Sequence, residues 1–447
     1  VAAQILGAEA GALAAMREQG FFYAERRNRD AVADLEAATI EVESTFHTGR
    51  IHRFGPITVT GAPNVDTDYV LTYVPWGPGE LATRDQMRDL QQSLLATGLF
   101  RSGTVTLPDE APEDETAPVT ITLEEGPFRS VSAGVRFNTD DGPGGRVTFE
   151  HRNLFGANER LRLTLDADLD EQRFEIGYRK PQFFKRDGQE FGAGLELRRV
   201  EDDAFDELGA TLTVGVSRKL GEKWTLGGGG LLEFSDIEDN AIDTTAQLAG
   251  LPFFAEYDGS NDLLNPTTGI RWRLDLTPFV GRFNEAFTAF TVIDTRVSHY
   301  LPLDEAARYV VATRGRVGFI PSDAFDEVPQ TRLLYAGGSG SVRAFAEDFV
   351  GALDDEGDPV GGRSAVEAGV ELRFPIWGDL GGVAFVEGGA VADNIVPNFE
   401  NTFLFGAGGG LRYFSPVGPI RLDVAVPVNG RDEDDAFQFY ISIGQAF

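Results

Sequence analysis

Two hydrophobic periods divide the chain. Up to Pro127, some stretches repeat their apolar residues at helical spacing and others alternate; from Phe128 onward only alternation remains. The last stretch, "FQFYISIGQAF", is the clearest. Phe437, Phe439, Ile441, Ile443 and Phe447 fall on one face, and Gln438, Tyr440, Ser442 and Gly444 on the other. In "VSAGVRF", Val131, Ala133, Val135 and Phe137 oppose Ser132, Gly134 and Arg136; in "PIRLDVAVPV", Ile420, Leu422, Val424 and Val426 oppose Arg421 and Asp423. A soluble sandwich also alternates. Here arginines and acids recur on the polar face of strand after strand, which predicts a wet lumen rather than a dry core. At roughly one strand per 20 residues, the pattern predicts a transmembrane β-barrel of about 16 antiparallel strands, with Phe437, Phe439, Ile441 and Ile443 toward lipid.

The preceding part reads as α+β. In "TRDQMRDLQQSLLATGLF", Met87, Leu90 and Leu94 share a helical face, Thr83 and Gln86 form a capping-box pattern, and Gly98 is the stop. "IHRFGPITVTG" and a short helix in "TDYVLTYVPW" come before it; "SGTVTLPDE" and "APVTITLEEG" follow. The order is strand, helix, helix, strand, strand. Residues 1–50 repeat its second part: a helix in "AGALAAMREQGFFYAE", then "RRNRDAVADL" and "ATIEVESTFHTG". The predicted domains are 1–50 (partial), 51–127 and 128–447. The first residues lack the basic and apolar regions of a signal peptide, so the chain is expected to begin inside a domain.

Assigning alternate connections to alternate sides separates them by character. One set is mostly short: "FGAN", "KLGEK", "LPLDEAA", "SPVGP". The other is acidic: "NTDDGPGG", "EDDAFDE", "FSDIEDNAID", "NGRDEDD". The longest loop, containing "GGSGSVRAF" at Gly337 to Phe345, belongs to the acidic set. Its flanks, "TRLLYA" and "AVEAGVELRFPI", both read as strands.

A formal charge of −32 argues against nucleic acid as a partner. The chain has no cysteine, and no apolar run approaches the roughly 18 residues of a transmembrane helix. "GGSGSVRAF" lacks the Lys-Ser/Thr ending of a phosphate loop, and "GAGGGLRYF" lies inside a strand. His47, His52, His151 and His299 are scattered without metal-binding spacing, and no serine stands out as a partner for His299. The acidic loops show no EF-hand-like spacing. No enzyme activity, cofactor or metal is expected. The glycine-rich loop has two readings: ordinary hairpin flexibility, or a small-residue segment that folds back so that Arg343 meets a buried acid. Candidate acids are Glu371, sharing a face with Gly369 and Arg373, and Glu387, sharing one with Phe385 and Gly389. A carboxylate with glycine two residues along leaves room for a guanidinium fork.

Taken in order, these stretches resemble the BamA/TamA superfamily of outer-membrane assembly proteins, most closely its TamA-type branch. The N-terminal order is similar to that of POTRA domains. "YDGSNDLLNPTTGIRW" resembles the family's periplasmic turn, with Asp258, Asn265, Pro266 and Gly269 at the motif positions. "GGSGSVRAF" resembles the Val-Arg-Gly-Phe/Tyr motif of the sixth outer loop, here Gly340, Val342, Arg343 and Phe345, with Ala344 in place of the glycine. "ELRFPI" and "FVEGG" match the two following strands, with Glu387 where the family has aspartate. The resemblance implies that Arg343 locks the loop to the inner wall through Glu387, with Glu371 nearby and lumenal water screening the pair. It implies a weakly zipped seam between "FRSVSAGVRF" and "AFQFYISIGQAF", a kink at Gly444 and a terminal assembly signal at Phe447. It also implies a bacterial outer-membrane location with periplasmic POTRA domains. The implied role is insertion of unfolded outer-membrane clients such as autotransporters, with a TamB-like inner-membrane partner and outer-membrane lipid as further contacts. A two-partner secretion transporter and a passive porin are the alternatives.

Overall fold

The computed structural model describes residues 2–34, 39–138, 142–201, 205–239, 242–322, 325–355, 357–395, 403–415 and 418–443. The chain divides into two compact units, one formed by residues 1–130 and 151–160, the other by 131–150 and 161–447. The sequence boundary at 127/128 thus lies close to the division. Residues 151–160, the turn after the second strand of the large sheet, belong to the first unit.

In the first unit, α1 (Ala2–Glu18) precedes the hairpin β1 (Glu25–Asp34) and β2 (Thr39–His47). Next come β3 (Arg53–Thr60), α2 (Thr67–Leu71), α3 (Arg84–Ala96), β4 (Phe100–Thr106) and β5 (Thr116–Glu125), in the predicted order. Their sheet runs β3–β5–β4, with β3 and β5 parallel. The helix reading holds in detail. Met87, Leu90 and Leu94 are buried, and the Gln86 N–H donates to the Thr83 hydroxyl at 3.4 Å. Gly98 has φ +73° past the helix end. These apolar residues pack with Phe54, Trp76, Val119 and Ile121 in one core.

The second unit is a large antiparallel sheet. Its strands are β6 (Arg129–Asn138), β7 (Pro143–His151), β8 (Arg160–Ala167), β9 (Glu171–Pro181), β10 (Gln189–Glu201), β11 (Asp206–Leu220), β12 (Trp224–Asp239), β13 (Ile242–Gly250) and β14 (Phe253–Asp258). They continue as β15 (Gly269–Phe283), β16 (Ala286–Pro302), β17 (Val310–Phe319), β18 (Ser364–Trp377), β19 (Leu380–Ala392), β20 (Leu404–Ser415), β21 (Gly418–Pro427) and β22 (Gln438–Ile443). The seventeen segments occupy sixteen positions, because β13 and β14 lie end to end between β12 and β15 and each pairs with both. Pro252 sits at the break; proline lacks the N–H a central strand needs.

The sheet is inside out relative to a soluble protein. Leu208, Leu212, Val214 and Val216 on β11 are exposed, and so are Val280 on β15 and Phe287 on β16, while arginines and acids are buried on the opposite face. On β22 the alternation has the predicted sense: Phe437 just before it and Ile441 are exposed and Phe439 is half-buried, whereas Gln438 and Tyr440 are buried. The side chain of Ile443 lies outside the described residues.

One predicted strand is absent. "TRLLYA" belongs to the long connection 320–363 between β17 and β18, and its sole β contact there is an isolated bridge, Leu334 to Gly362. Pro321 follows the end of β17. Leu334 then packs with Ile320, Val342 and Phe345, so the apolar residues of this segment serve the loop's own core. An apolar run of strand length does not reveal whether its backbone will find a ladder.

Candidate functional site

The loop turns sharply at Gly337, whose φ is +130° and whose added Cβ would stand 2.2 Å from the Ala346 carbonyl oxygen. Ser341 then ties the turn to the wall: its hydroxyl accepts from the Gly337 N–H at 2.9 Å and donates to Glu367 at 2.8 Å. Arg314 on β17 donates to the Gly340 carbonyl at 2.6 Å, and Arg316 to the Tyr335 carbonyl at 2.9 Å. Val342 and Phe345 are buried, so the loop carries a small apolar core on either side of Arg343.

Arg343 has no solvent exposure. Its Nη2 donates to Glu387 Oε1 at 2.7 Å, and its Nη1 to Glu371 Oε2 at 3.0 Å and Asp423 Oδ2 at 2.8 Å. Its own backbone N–H donates to Glu387 Oε2 at 3.0 Å. The guanidinium carbon lies 3.4 Å from the centroid of the Phe385 ring. The expected pairing with Glu387 and Glu371 is present, but the expected water screening is not: all three carboxylates are at most 2% exposed. A dry arginine facing three acids needs further cations. Arg412 and Arg421 on the last strands converge on Asp423, and Arg373 donates to Glu371 at 2.8 Å. Arg314 lies 3.4 Å from Glu387, and Arg316 bridges Glu367 at 2.8 Å and Asp294 at 2.6 Å. The ion pairs therefore form one ladder across the inner face from β16 to β21.

Space for the loop comes from missing side chains. A Cβ on Gly406 would stand 2.1 Å from that of Ala344, on Gly408 2.3 Å from the Phe385 ring, and on Gly410 2.0 Å from Asp423 Oδ1. A Cβ on Gly389 would stand 3.0 Å from Val342. Ala344 thus fits where the family has glycine because its methyl rests against Gly406.

The turn residues form a separate local structure. Asp258 accepts from the Ser260 N–H at 2.9 Å, and Asp262 accepts from the N–H groups of Leu264 at 2.8 Å and Asn265 at 2.7 Å. Bonds from those two N–H groups hold the Asp262 carboxyl below the usual carboxylate range. Gly269 has φ +104°. Pro266 is joined to the lock, since its carbonyl accepts from Arg373 at 3.1 Å, giving the chain Arg343–Glu371–Arg373–Pro266. Gly444 and Phe447 lie outside the described residues.

Sequence reasoning missed Asp423, Arg412, Arg314, Glu367 and two further loop anchors. Asp423 and Arg421 already stood out as charges on an inner face; nothing in one strand shows that a loop 80 residues away will meet them. The first missed anchor is Arg332, paired with buried Glu233 on β12. The second is Arg431, in the connection between β21 and β22. It donates to the carbonyls of Gly351 at 2.7 Å and Phe349, and is paired with Asp434 at 2.7 Å. Tyr440 on β22 adds a bond from its hydroxyl to the Phe345 carbonyl at 3.4 Å. Among the described residues, no group of three or more His, Asp or Glu is arranged to hold a metal ion.

Among the described residues, the order of strand pairing returns from β22 to β6 through two residue pairs, Tyr440 with Asn138 and Ile441 with Phe137. The β15–β16 ladder, by contrast, runs continuously from Gly269–Tyr300 to Phe283–Ala286. Val131 and Val135 on β6 are exposed.

Fold and site together define a class: a barrel-type antiparallel sheet whose inner face holds a loop pinned by one buried arginine. The model of the Omp85 superfamily domain matches residues 153–447. The chain belongs to the Omp85 superfamily, that of the BamA/TamA-type outer-membrane assembly proteins. It is 24% identical over 433 residues to Outer envelope protein 80, chloroplastic, of Arabidopsis thaliana, covering 86% of this chain and 55% of that protein. The chain thus spans little more than half of that relative. The structure of BamA from Haemophilus ducreyi lacking POTRA domains 1–3 superposes with a TM-score of 0.83 at 19% identity, over 95% of this chain and 90% of that one. CdiB from Acinetobacter baumannii superposes with a TM-score of 0.58 at 14% identity, over 95% and 79% of the two chains.

Proposed function

We propose that this protein is a non-enzymatic assembly factor of an outer membrane, TamA-like in its division of labour. Its large sheet forms a closed barrel spanning the bilayer, with its POTRA-type domains in the periplasm. It inserts unfolded β-barrel clients, such as autotransporters, by parting β22 from β6. The observation that carries the reading is the seam: among the described residues β22 and β6 share two residue pairs, whereas the β15–β16 ladder runs unbroken over fifteen. Free strand edges are normally a hazard; here they offer a client backbone partners for β-augmentation. The pinned loop holds the inner wall beside the seam in place while the edge is exposed. A TamB-like inner-membrane partner and the surrounding lipid complete the proposed setting.

The chain has no cysteine, so the seam can be locked without background. Phe137→Cys combined with Ile441→Cys should cross-link under oxidation and stop insertion of a client barrel into vesicles, and reduction should restore it. Full insertion by the locked protein would rule out the lateral route. The likeness to CdiB supports a second reading, a secretion pore, under which the locked seam leaves export of a soluble passenger intact. A passive porin fits poorly, because the loop fills the inner face with buried side chains.

A further inference from the structure

Two prolines stand side by side in the middle of the large sheet, Pro252 between β13 and β14 and Pro278 within β15. Among the described residues, the other prolines in strands of this sheet lie within two residues of a strand end. Register runs unchanged past Pro252. On one side Leu231 pairs with Gly250 and Gly228 with Phe253; on the other Gly250 pairs with Phe279 and Phe253 with Leu276. Pro252 therefore stands opposite Gly229, and Leu251 opposite Pro278.

Both ladders lose a bond here. The Gly229 N–H donates to the Pro252 carbonyl at 2.9 Å, and the Leu251 N–H to the Pro278 carbonyl at 3.0 Å. Residues paired in this way exchange two bonds in an antiparallel ladder. Neither proline has an N–H, so neither returns its bond. The strip is also bent. A Cβ on Gly229 would stand 2.1 Å from the Val214 carbonyl oxygen, and one on Gly281 2.0 Å from the Gln247 carbonyl oxygen. A regular pleat points Cβ away from the sheet; only glycine fits where the strand turns it toward a neighbour. The bend needs these glycines but not the prolines. Inside a bilayer, a backbone group denied its partner is costly.

The position of the strip gives that cost a use. Counted from β6, the β13/β14 strand is the eighth of the sixteen positions and β15 the ninth. The ladder between them is the farthest from the β22–β6 joint in both directions. In a ring parted at one joint, the wall directly across carries the largest bending moment. A wall with fewer ladder bonds at that place yields most easily and spares the ladders on either side.

We propose that the strip around Pro252 and Pro278 is the hinge on which β6–β12 and β15–β22 swing apart when the seam opens. This rests on reading the sheet as a closed barrel that admits clients between β22 and β6. The test puts spin labels on Val135→Cys of β6 and Val424→Cys of β21, both exposed positions, in the full chain in lipid vesicles. Label separation and client insertion are read on the same preparations. An unfolded client barrel should lengthen the label distance. Pro252→Ala with Pro278→Ala should reduce the lengthened fraction and the insertion rate about fivefold, the effect of roughly one ladder hydrogen bond. Each single substitution should give part of that effect, which keeps the test valid if the pair folds poorly. Pro181→Ala, at the end of β9, should change neither reading. Unchanged distances and rates in the Pro252 and Pro278 variants, or equal slowing by Pro181→Ala, overturn the hinge and leave the lateral route standing. Labels that no client moves apart also overturn it; if the seam disulfide then fails to block insertion, the lateral route falls as well.

Discussion

Glu387 holds Arg343 twice: Oε2 accepts its backbone N–H at 3.0 Å, and Oε1 accepts its guanidinium Nη2 at 2.7 Å. The carboxylate thus fixes the loop's main chain as well as its charge. Arg343→Ala should free the loop and leave Glu371, Glu387 and Asp423 facing one another without solvent. Removing one partner of a dry pair costs about 3–5 kcal/mol. The expected result is a folded barrel with a protease-sensitive loop and little client insertion. A charge swap, Arg343→Glu with Glu387→Arg, should not restore activity, because Glu371 and Asp423 would confront the new glutamate. Loop proteolysis and insertion, measured on the same preparations, check both outcomes.

The glycines of β20 make a sharper test of the loop's seat, since they carry no charge. Gly410→Ala would place a Cβ 2.0 Å from Asp423 Oδ1, and Gly406→Val would collide with Ala344. Both should displace the loop as Arg343→Ala does, at a cost of about 1–3 kcal/mol for overpacking. Ala344→Gly should be nearly silent. If Gly406→Val keeps the loop protected from protease, the close packing is not what seats it.

Arg431 links the loop to the terminal hairpin. Arg431→Ala leaves the Arg343 cluster untouched but removes the bonds to Phe349 and Gly351. It should speed formation of a disulfide between β22 and an incoming client strand carrying cysteine, while the loop near Arg343 stays protected. Unchanged cross-linking would mean that loop and seam move independently.

The first unit has its own pH response. Hydrogen bonds from Arg29 and then Ser44, with the nearby charge of Arg26, pull the Glu9 carboxyl from an ordinary 4.5 to about 2. A depressed carboxyl stabilises the folded form above its unfolded value and loses that contribution as pH falls through the folded one. The packing of α1 on β1 and β2 should therefore hold above about pH 4.5 and loosen between there and pH 2. Hydrogen exchange in β1 and β2 should report it, and Glu9→Gln should remove the pH dependence within that window.

Period and parity were enough to read the α+β order of the first unit, the capped helix α3 and the inside-out alternation from β6 to β22, because each depends on neighbours within a few residues. Glu371 and Glu387 were legible for a similar reason, each a charge with a glycine two residues away on its face of the strand, and Arg343 stood out as the one cation of the glycine-rich loop stretch "GGSGSVRAF". The loop's course was not legible. "TRLLYA" has strand composition, yet its apolar residues pack against Val342 and Phe345, and only the folded chain shows which backbone groups are left to pair. Asp423, Arg431 and Glu233 are brought to the loop from 80 to 99 residues away. Such contacts depend on how the sheet curves and on how much room Gly406, Gly408 and Gly410 leave, and tertiary packing alone sets those distances.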